Sequence, residues 1–303
     1  MTASNETSII IRNIEEISEM RAAEDLQIKT WGEDERDIVP LTQLAAARHV
    51  GGSLIGAFDG GTLAGFVYGF YGHVGGRIVH HSHMLAVHPE YRNRELAFRL
   101  KLAQREHVIS GGIADQITWT FDPLQSINAY LNFAKLGVIS DTYKVNIYGD
   151  LGTSFLHRNG TDRLFVTWFV KSPHVINRIE RRSTATESKD ESFPDAITLI
   201  RHSGSGVPER ISSDADIGGA KSALVEIPTN IRSIEKSDFS MAERWRAETR
   251  KVFVGTLNAG FVVTDFHRKD KRTGMYLLEK GGRTMTQINN QLGNTVCEEP
   301  LEN

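Results

Sequence analysis

The stretch HHSHMLAVHPEYRNRELAFRLKLAQREH, residues 80 to 107, constrains this chain more than any other. An apolar strand carrying His80, His81 and His83 reaches a turn at His88-Pro89 and passes into a segment dense in arginine. Leu96, Leu100, Ala103 and His107 then recur at helical spacing, and Gly111-Gly112 close the pattern, so a helix is expected over 92 to 112. A strand that bends away from its neighbour exposes unpaired backbone N–H and C=O groups. A helix start just beyond it offers free N–H donors and a partial positive charge, a ready anion site. The two together suit a ligand with an amide arm and a pyrophosphate, and coenzyme A is such a ligand. Arg92, Arg94, Arg99 and Lys101 add local positive charge.

That charge is local only. The 303-residue chain has a net charge of −3, which argues against a nucleic-acid partner held by bulk electrostatics. Its single cysteine, Cys297, excludes a disulfide framework and a cysteine-based metal cluster. No stretch approaches the roughly 20 apolar residues of a membrane span. The start MTASNETSII lacks a basic n-region and an apolar core, so no signal peptide is expected. The expected location is cytoplasmic, with no membrane partner.

Periodicity and turn residues outline the other elements. Strands are expected at 8 to 14, 77 to 87, 115 to 122, 138 to 149 and 163 to 170. Helices are expected at 17 to 32, 40 to 52 and 126 to 137, and a hairpin at 53 to 72 turns on Asp59-Gly60-Gly61. This is an α/β (α+β) order around a mixed central sheet flanked by helices. Residues 1 to 175 read as one domain and 176 to 222 as a polar linker and irregular segment. Residues 223 to 280 read as a small β-α-β-β extension, covering an acceptor site or making a homodimer contact. The tail from 281 to 303 reads as disordered.

Residues 8 to 170 resemble the GNAT superfamily of acyl-CoA-dependent N-acyltransferases. The element order matches, and so do Leu85-Ala86-Val87 followed by Arg92-Asn93-Arg94-Glu95-Leu96-Ala97, at the place of the family's strand and acyl-CoA loop. The loop is usually Arg or Gln, two residues, Gly, one residue, then Gly or Ala. Arg92 and Ala97 fit; Glu95 stands where glycine is usual. A side chain and a negative charge there oppose a pyrophosphate, although an acid is favourable at a helix start that binds nothing. The resemblance implies the GNAT fold, acetyl-CoA or succinyl-CoA as co-substrate and a small-molecule amine as acceptor. Asn128 resembles the asparagine that often contacts the coenzyme A arm.

His-x-His-x-Leu-Ala-Val-His is similar to the motif of the arylalkylamine N-acetyltransferases, here at His81, His83, Leu85, Ala86, Val87 and His88. There the histidine pair helps remove the amine proton. The chemistry requires such a step, because an ammonium cannot attack a thioester. Strand alternation places His81 and His83 on one face with Leu85 and Val87. A pair simply packed and satisfied against the sheet is the plain alternative. A metal site is a third reading, but no third ligand stands at recognisable spacing.

The tyrosine that many GNAT enzymes use as acid corresponds here to Phe133. Tyr130, one turn earlier, is a candidate substitute, as are Tyr143 and Tyr148, and a purely structural role is the plain alternative for each. HSHMLAVHPEYR, ITWTFDPL, NAYLNFAKLG and GFVVTDF further resemble a bacterial group of predicted GNAT proteins of this length. Some of its members are N-succinyltransferases of D-amino acids, which implies an amino-acid acceptor and an extra cation for a carboxylate. Arg36, Arg48 and Arg163 are candidates for that cation, and Trp31 for a wall of the acceptor pocket. Glu95 and Phe133 also fit a catalytically weakened GNAT fold that serves as an acyl-CoA-binding or protein-interaction module.

Overall fold

A computed structural model of the chain describes residues 9–32, 38–149, 159–184, 193–212 and 214–281. The chain divides into two compact units. Among the described residues, one takes those up to 119 and the other 120–149 with those from 159 on.

The first unit contains β1 (Ile10–Asn13), α1 (Ile17–Trp31), α2 (Leu41–His49), β2 (Ser53–Asp59), β3 (Thr62–Val74), β4 (Arg77–Val87), α3 (Leu96–Gly111) and the first part of β5 (Gln116–Phe121). Its strands lie in the order β1-β2-β3-β4-β5. Neighbours are antiparallel except β4 and β5, which are parallel. β2 is buried along nearly its whole length because helices cover both sheet faces. On one face Met20, Ala23 and Leu26 of α1 and Leu44 of α2 pack on Leu54, Phe58, Phe66 and Tyr68. On the other Leu96 and Leu100 of α3 pack on Ile55, Ala57 and Val67. α1 ends as its sequence implies, with Gly32 in the left-handed conformation at φ 62°.

The β3–β4 hairpin carries the irregularity that shapes this unit. Tyr68 pairs with Met84, and the next residue, Gly69, pairs with Ser82. His83 is therefore one extra residue in β4, a β-bulge. A single-turn 3₁₀ helix at Pro89–Tyr91 follows the strand. The helix expected from Arg92 begins only at Leu96, because Asn93 and Glu95 take left-handed backbone conformations (φ 67° and 58°) that interrupt any helix.

The second unit contains α4 (Ser126–Ala129), continued by π-helical turns over Tyr130–Lys135. β6 (Ile139–Lys144), β7 (Arg163–Phe169), α5 (Pro173–Thr184), β8 (Ile197–His202), β9 (Pro208–Arg210) and α6 (Asp214–Gly219) come next. β10 (Ser222–Pro228), α7 (Ile231–Ser237), α8 (Phe239–Asn258), β11 (Phe261–Arg268) and β12 (Thr273–Lys280) complete it. Its strands run β7-β6-β11-β12-β10-β8-β9.

The expected division at 175 and 223 differs from this arrangement. β11 pairs with β6 at Val263↔Ser140, so the C-terminal strands share a sheet with the segment after β5 rather than forming a separate extension. The expected linker holds β8, β9 and α6, and Leu199 and Ile200 of β8 are fully buried. Long-range strand pairing leaves no local mark in sequence, which is why composition misread this region. The strand expected to run to 149 ends at Lys144, where Asn146 turns the chain with φ 44°. The tail beyond Gly281 lies outside the described residues. The core of this unit is aromatic: Tyr276 meets Phe133, Phe253 and Phe266 at ring distances of 5.8, 5.3 and 4.7 Å, and its hydroxyl donates to the Pro123 carbonyl at 2.7 Å.

Gly69 lies where β3 meets the bulge. A Cβ there would stand 2.7 Å from the His81 carbonyl oxygen and 2.6 Å from His80 Nε2. Gly69→Ala is therefore expected to destabilise the fold by about 1–3 kcal/mol through overpacking. Gly72→Ala, with nothing within 4 Å of the added carbon, is expected to melt near the wild-type temperature in calorimetry.

Candidate active site

The bulge decides which side chains share a face. His81 and His83 come together, with ring centroids 6.3 Å apart, among Tyr68 and Phe70 on the α1–α2 side. Met84 and Ala86 pack on that side too. Leu85 and Val87 pack on the α3 side. The expectation that both histidines would line one face with Leu85 and Val87 is thus corrected: the extra residue at His83 reverses the alternation beyond it.

His81 is half-buried, with Nδ1 3.2 Å from Thr118 Oγ1. Burial first, then the nearby His83 and Lys101, push its pKa down to about 4. His83 is exposed, yet the rings around it strip away part of its hydration and lower its pKa as well. Both rings are neutral at pH 7 and can accept a proton. Of the two, His83 is the better placed to exchange it with water.

The opposite face of β4 holds a buried polar chain that sequence reasoning missed. His80 Nε2 lies 2.9 Å from Ser53 Oγ, which accepts from Gln104 Nε2 at 2.9 Å. Lys101 Nζ donates to Gln104 Oε1 at 3.1 Å and to Ser82 Oγ at 2.8 Å, and stands 3.5 Å from the centre of the Trp119 ring. Two oxygens and a π-face thus meet the three hydrogens of the ammonium. Burial pulls the Lys101 pKa well below its ordinary value, and drops His80 to about 3. The chain ties His80 and Ser82, the neighbours of His81, to α3. A signal was available: Lys101 and Gln104 are polar residues three apart, one position off the apolar stripe of α3, and both are buried.

β4 pairs with β5 at His80↔Ile117 and His81↔Thr118 only, so the β5-facing edge from Ser82 to Val87 has no strand partner among the described residues. Below it the loop Arg92–Glu95 leads to the first amides of α3, which an α-helix leaves without internal partners. Arg92 and Arg94 are exposed there. Arg99 instead donates to the Ile9 carbonyl at 2.9 Å, and Lys101 faces the core, so neither adds charge at the loop as expected. Leu96 is buried and Ala97 half-buried, which leaves their backbone as the part able to meet a ligand. Tyr91 fixes the preceding turn by donating to Asp59 Oδ2 at 2.9 Å.

Trp31, the last residue of α1, packs in the same layer as Phe70 and Met84. Arg36 lies outside the described residues. Arg48 is exposed and 3.7 Å from Glu15. Asn128 and Tyr130 belong to the second unit. Asn128 is exposed, and the Tyr130 ring lies under Arg268 Cζ at 4.1 Å with Lys135 Nζ at 5.5 Å. Phe133 is fully buried against Tyr276. Among the described residues no three His, Cys, Asp or Glu side chains converge on a metal position. No helix among them is long and apolar enough to cross a membrane.

The family model for the acetyltransferase (GNAT) family matches residues 15–134, from α1 through β4 and α3 to the π-helical turns. The chain carries a GNAT fold. The match indicates an N-acyltransferase enzyme. Among solved structures, the ribosomal-protein-S18-alanine N-acetyltransferase from Escherichia coli is 13% identical, covering 61% of this chain and 100% of its own, at a TM-score of 0.42. The acetyltransferase of GNAT family from Streptococcus pneumoniae is 15% identical, covering 53% and 98%, also at 0.42. The structure of yncA from Salmonella typhimurium, solved with its cofactor acetyl-CoA, is 14% identical, covering 54% and 94%, at 0.41. A comparison with curated proteins finds no match.

Glu95 tests the loop. Left-handed backbone costs a non-glycine residue roughly 1–2 kcal/mol, and the carboxylate opposes an anion. Glu95→Gly is expected to stabilise the fold by about 1 kcal/mol and to tighten acetyl-CoA binding. Glu95→Ala removes the charge and keeps the strain, so it should tighten binding without raising the melting temperature. Titration calorimetry and melting curves separate the two effects; unchanged affinity in both variants would show that Glu95 does not hinder the phosphates.

Proposed function

We propose that this GNAT protein moves an acetyl or succinyl group from coenzyme A to the amine of a small molecule, an amino acid among the candidates, by direct attack in a ternary complex. The observation that carries this reading is the His81/His83 pair, neutral at pH 7, standing at the bulge of a strand whose β5-facing edge has no strand partner from Ser82 to Val87 among the described residues.

The residues divide the work as follows. The Leu85–Val87 edge offers backbone groups that can pair with an amide arm and an N–H that polarises a thioester carbonyl. The amides at Leu96 and Ala97, with Arg92, Asn93 and Arg94, are suited to a pyrophosphate. Bound acyl-CoA supplies the activated carbonyl. His83, helped by His81 through water, takes one proton of the incoming ammonium; the freed nitrogen bonds to the carbonyl carbon, the carbon–sulfur bond breaks, and the nitrogen sheds a second proton as the amide forms. The proton balances the departing thiolate, which is stable enough to leave without a dedicated acid. Trp31 is assigned to the acceptor pocket.

A second reading, a GNAT fold that binds acyl-CoA without transferring the group, draws on the left-handed Glu95 and the buried Phe133. Release of free thiol on adding amine or amino-acid acceptors separates the two. Under the transfer reading, His83→Ala and His81→Ala are expected to lower kcat/KM by about 10²–10⁴-fold with acetyl-CoA affinity unchanged. Full activity in both variants removes the base assignment. The sign of the pH profile follows from the lowered pKa values. A base must be unprotonated, so the acid limb of kcat/KM should fall below pH 6.5, towards about 4 if His81 governs it.

A further inference from the structure

Arg163 opens β7 in the second unit and is only 9% exposed. Buried charges are normally paired. Around Arg163 the other buried charges are matched to one another. Arg246 Nη1 lies 2.8 Å from Asp122 Oδ1. Arg250 grips both oxygens of Asp162, at 2.7 and 2.8 Å. Arg246 thus takes Asp122 and Arg250 takes Asp162, and the half-buried Glu235 also lies near Arg246. Among the described residues Arg163 makes no ion pair and a single side-chain hydrogen bond, from Nη1 to the backbone carbonyl of Asp162 at 2.8 Å. Asp122 and Asp162 favour its charge from a distance, but burial outweighs them.

With Nη1 engaged, the Nε–Nη2 edge remains, two parallel N–H groups that fit two oxygens of one anion. Neither nitrogen is among the buried polar atoms sealed away without a partner, so the edge keeps access to solvent. The Tyr148 ring, 42% exposed, stands 5.5 Å from the guanidinium carbon, and its hydroxyl lies 3.2 Å from Thr120 Oγ1. The fork thus lies near a flat ring whose hydroxyl is bonded to that of Thr120.

We propose that Arg163, with Tyr148 and Thr120, forms a binding site for the carboxylate of a small molecule. A carboxylate suits it better than a phosphate, because a dianion gathers several free cations and the neighbouring Arg246 and Arg250 are already taken. The site lies within the second unit and goes beyond the acyl-transfer reading: its occupancy is read as binding, whether or not the chain transfers anything.

The test is calorimetric titration of the full chain with succinate, alanine and inorganic phosphate. Succinate stands for a carboxylate on the acyl group and alanine for one on an amino-acid acceptor. Saturable binding of either is expected, weakened about tenfold or more in Arg163→Gln. Arg163→Lys keeps the charge and loses the fork, so it should bind more weakly than wild type while melting at a similar temperature. If Arg163→Gln fails to fold, the lysine variant carries the test. No saturable binding of either carboxylate, wild-type affinity in the variants, or phosphate binding tighter than both carboxylates would overturn the proposal.

Discussion

The extra residue in β4 is the constraint on which the first unit depends. Without the bulge at His83, strict alternation would send His81, His83, Leu85 and Val87 to one side. The α3 core would then lose its two apolar contacts, or the histidines would be buried in it. With it, the strand serves both layers: Leu85 and Val87 close the α3 core, while the histidines stand on the α1–α2 side among aromatic rings. The strand also parts from β5 just past His81, which leaves its edge beside the pair without a strand partner among the described residues. Chemistry and packing are reconciled by one irregularity.

A bulge is held only if both strands agree to it. Gly69 permits the close approach, since any side chain there would strike the His81 carbonyl. The chain from His80 through Ser53, Gln104 and Lys101 to Ser82 holds the other side. Each such hydrogen bond contributes about 1 kcal/mol net, but an orphaned buried partner costs more, so the chain resists piecemeal loss. It also places a buried lysine behind the histidine pair, which helps keep His81 uncharged.

The second unit solves a different problem. Its sheet is assembled from segments far apart in sequence, β6 and β7 on one side and β8 to β12 on the other, around Trp168, Trp245 and Tyr276. At one end of that sheet lies a nest of buried charge, where Arg246 and Arg250 pair with Asp122 and Asp162 and the Arg163 guanidinium has no ion pair among the described residues. Phe133 is spent on the aromatic core, its ring against Tyr276.

By itself the sequence determined the strand, bend and helix of residues 80 to 107, the helices at 17 and 126, the hairpin at Asp59-Gly60-Gly61 and the pairing of His81 with His83. These rest on local periodicity and turn chemistry, which neighbouring residues encode directly. Only the tertiary structure decided the bulge, the start of α3 at Leu96, the burial of Lys101, the joining of β11 to β6 and the lack of an ion pair at Arg163 among the described residues. Each of these depends on a partner distant in the chain. A one-residue slip between strands or a missing counter-ion has no signature in the residues on either side of it.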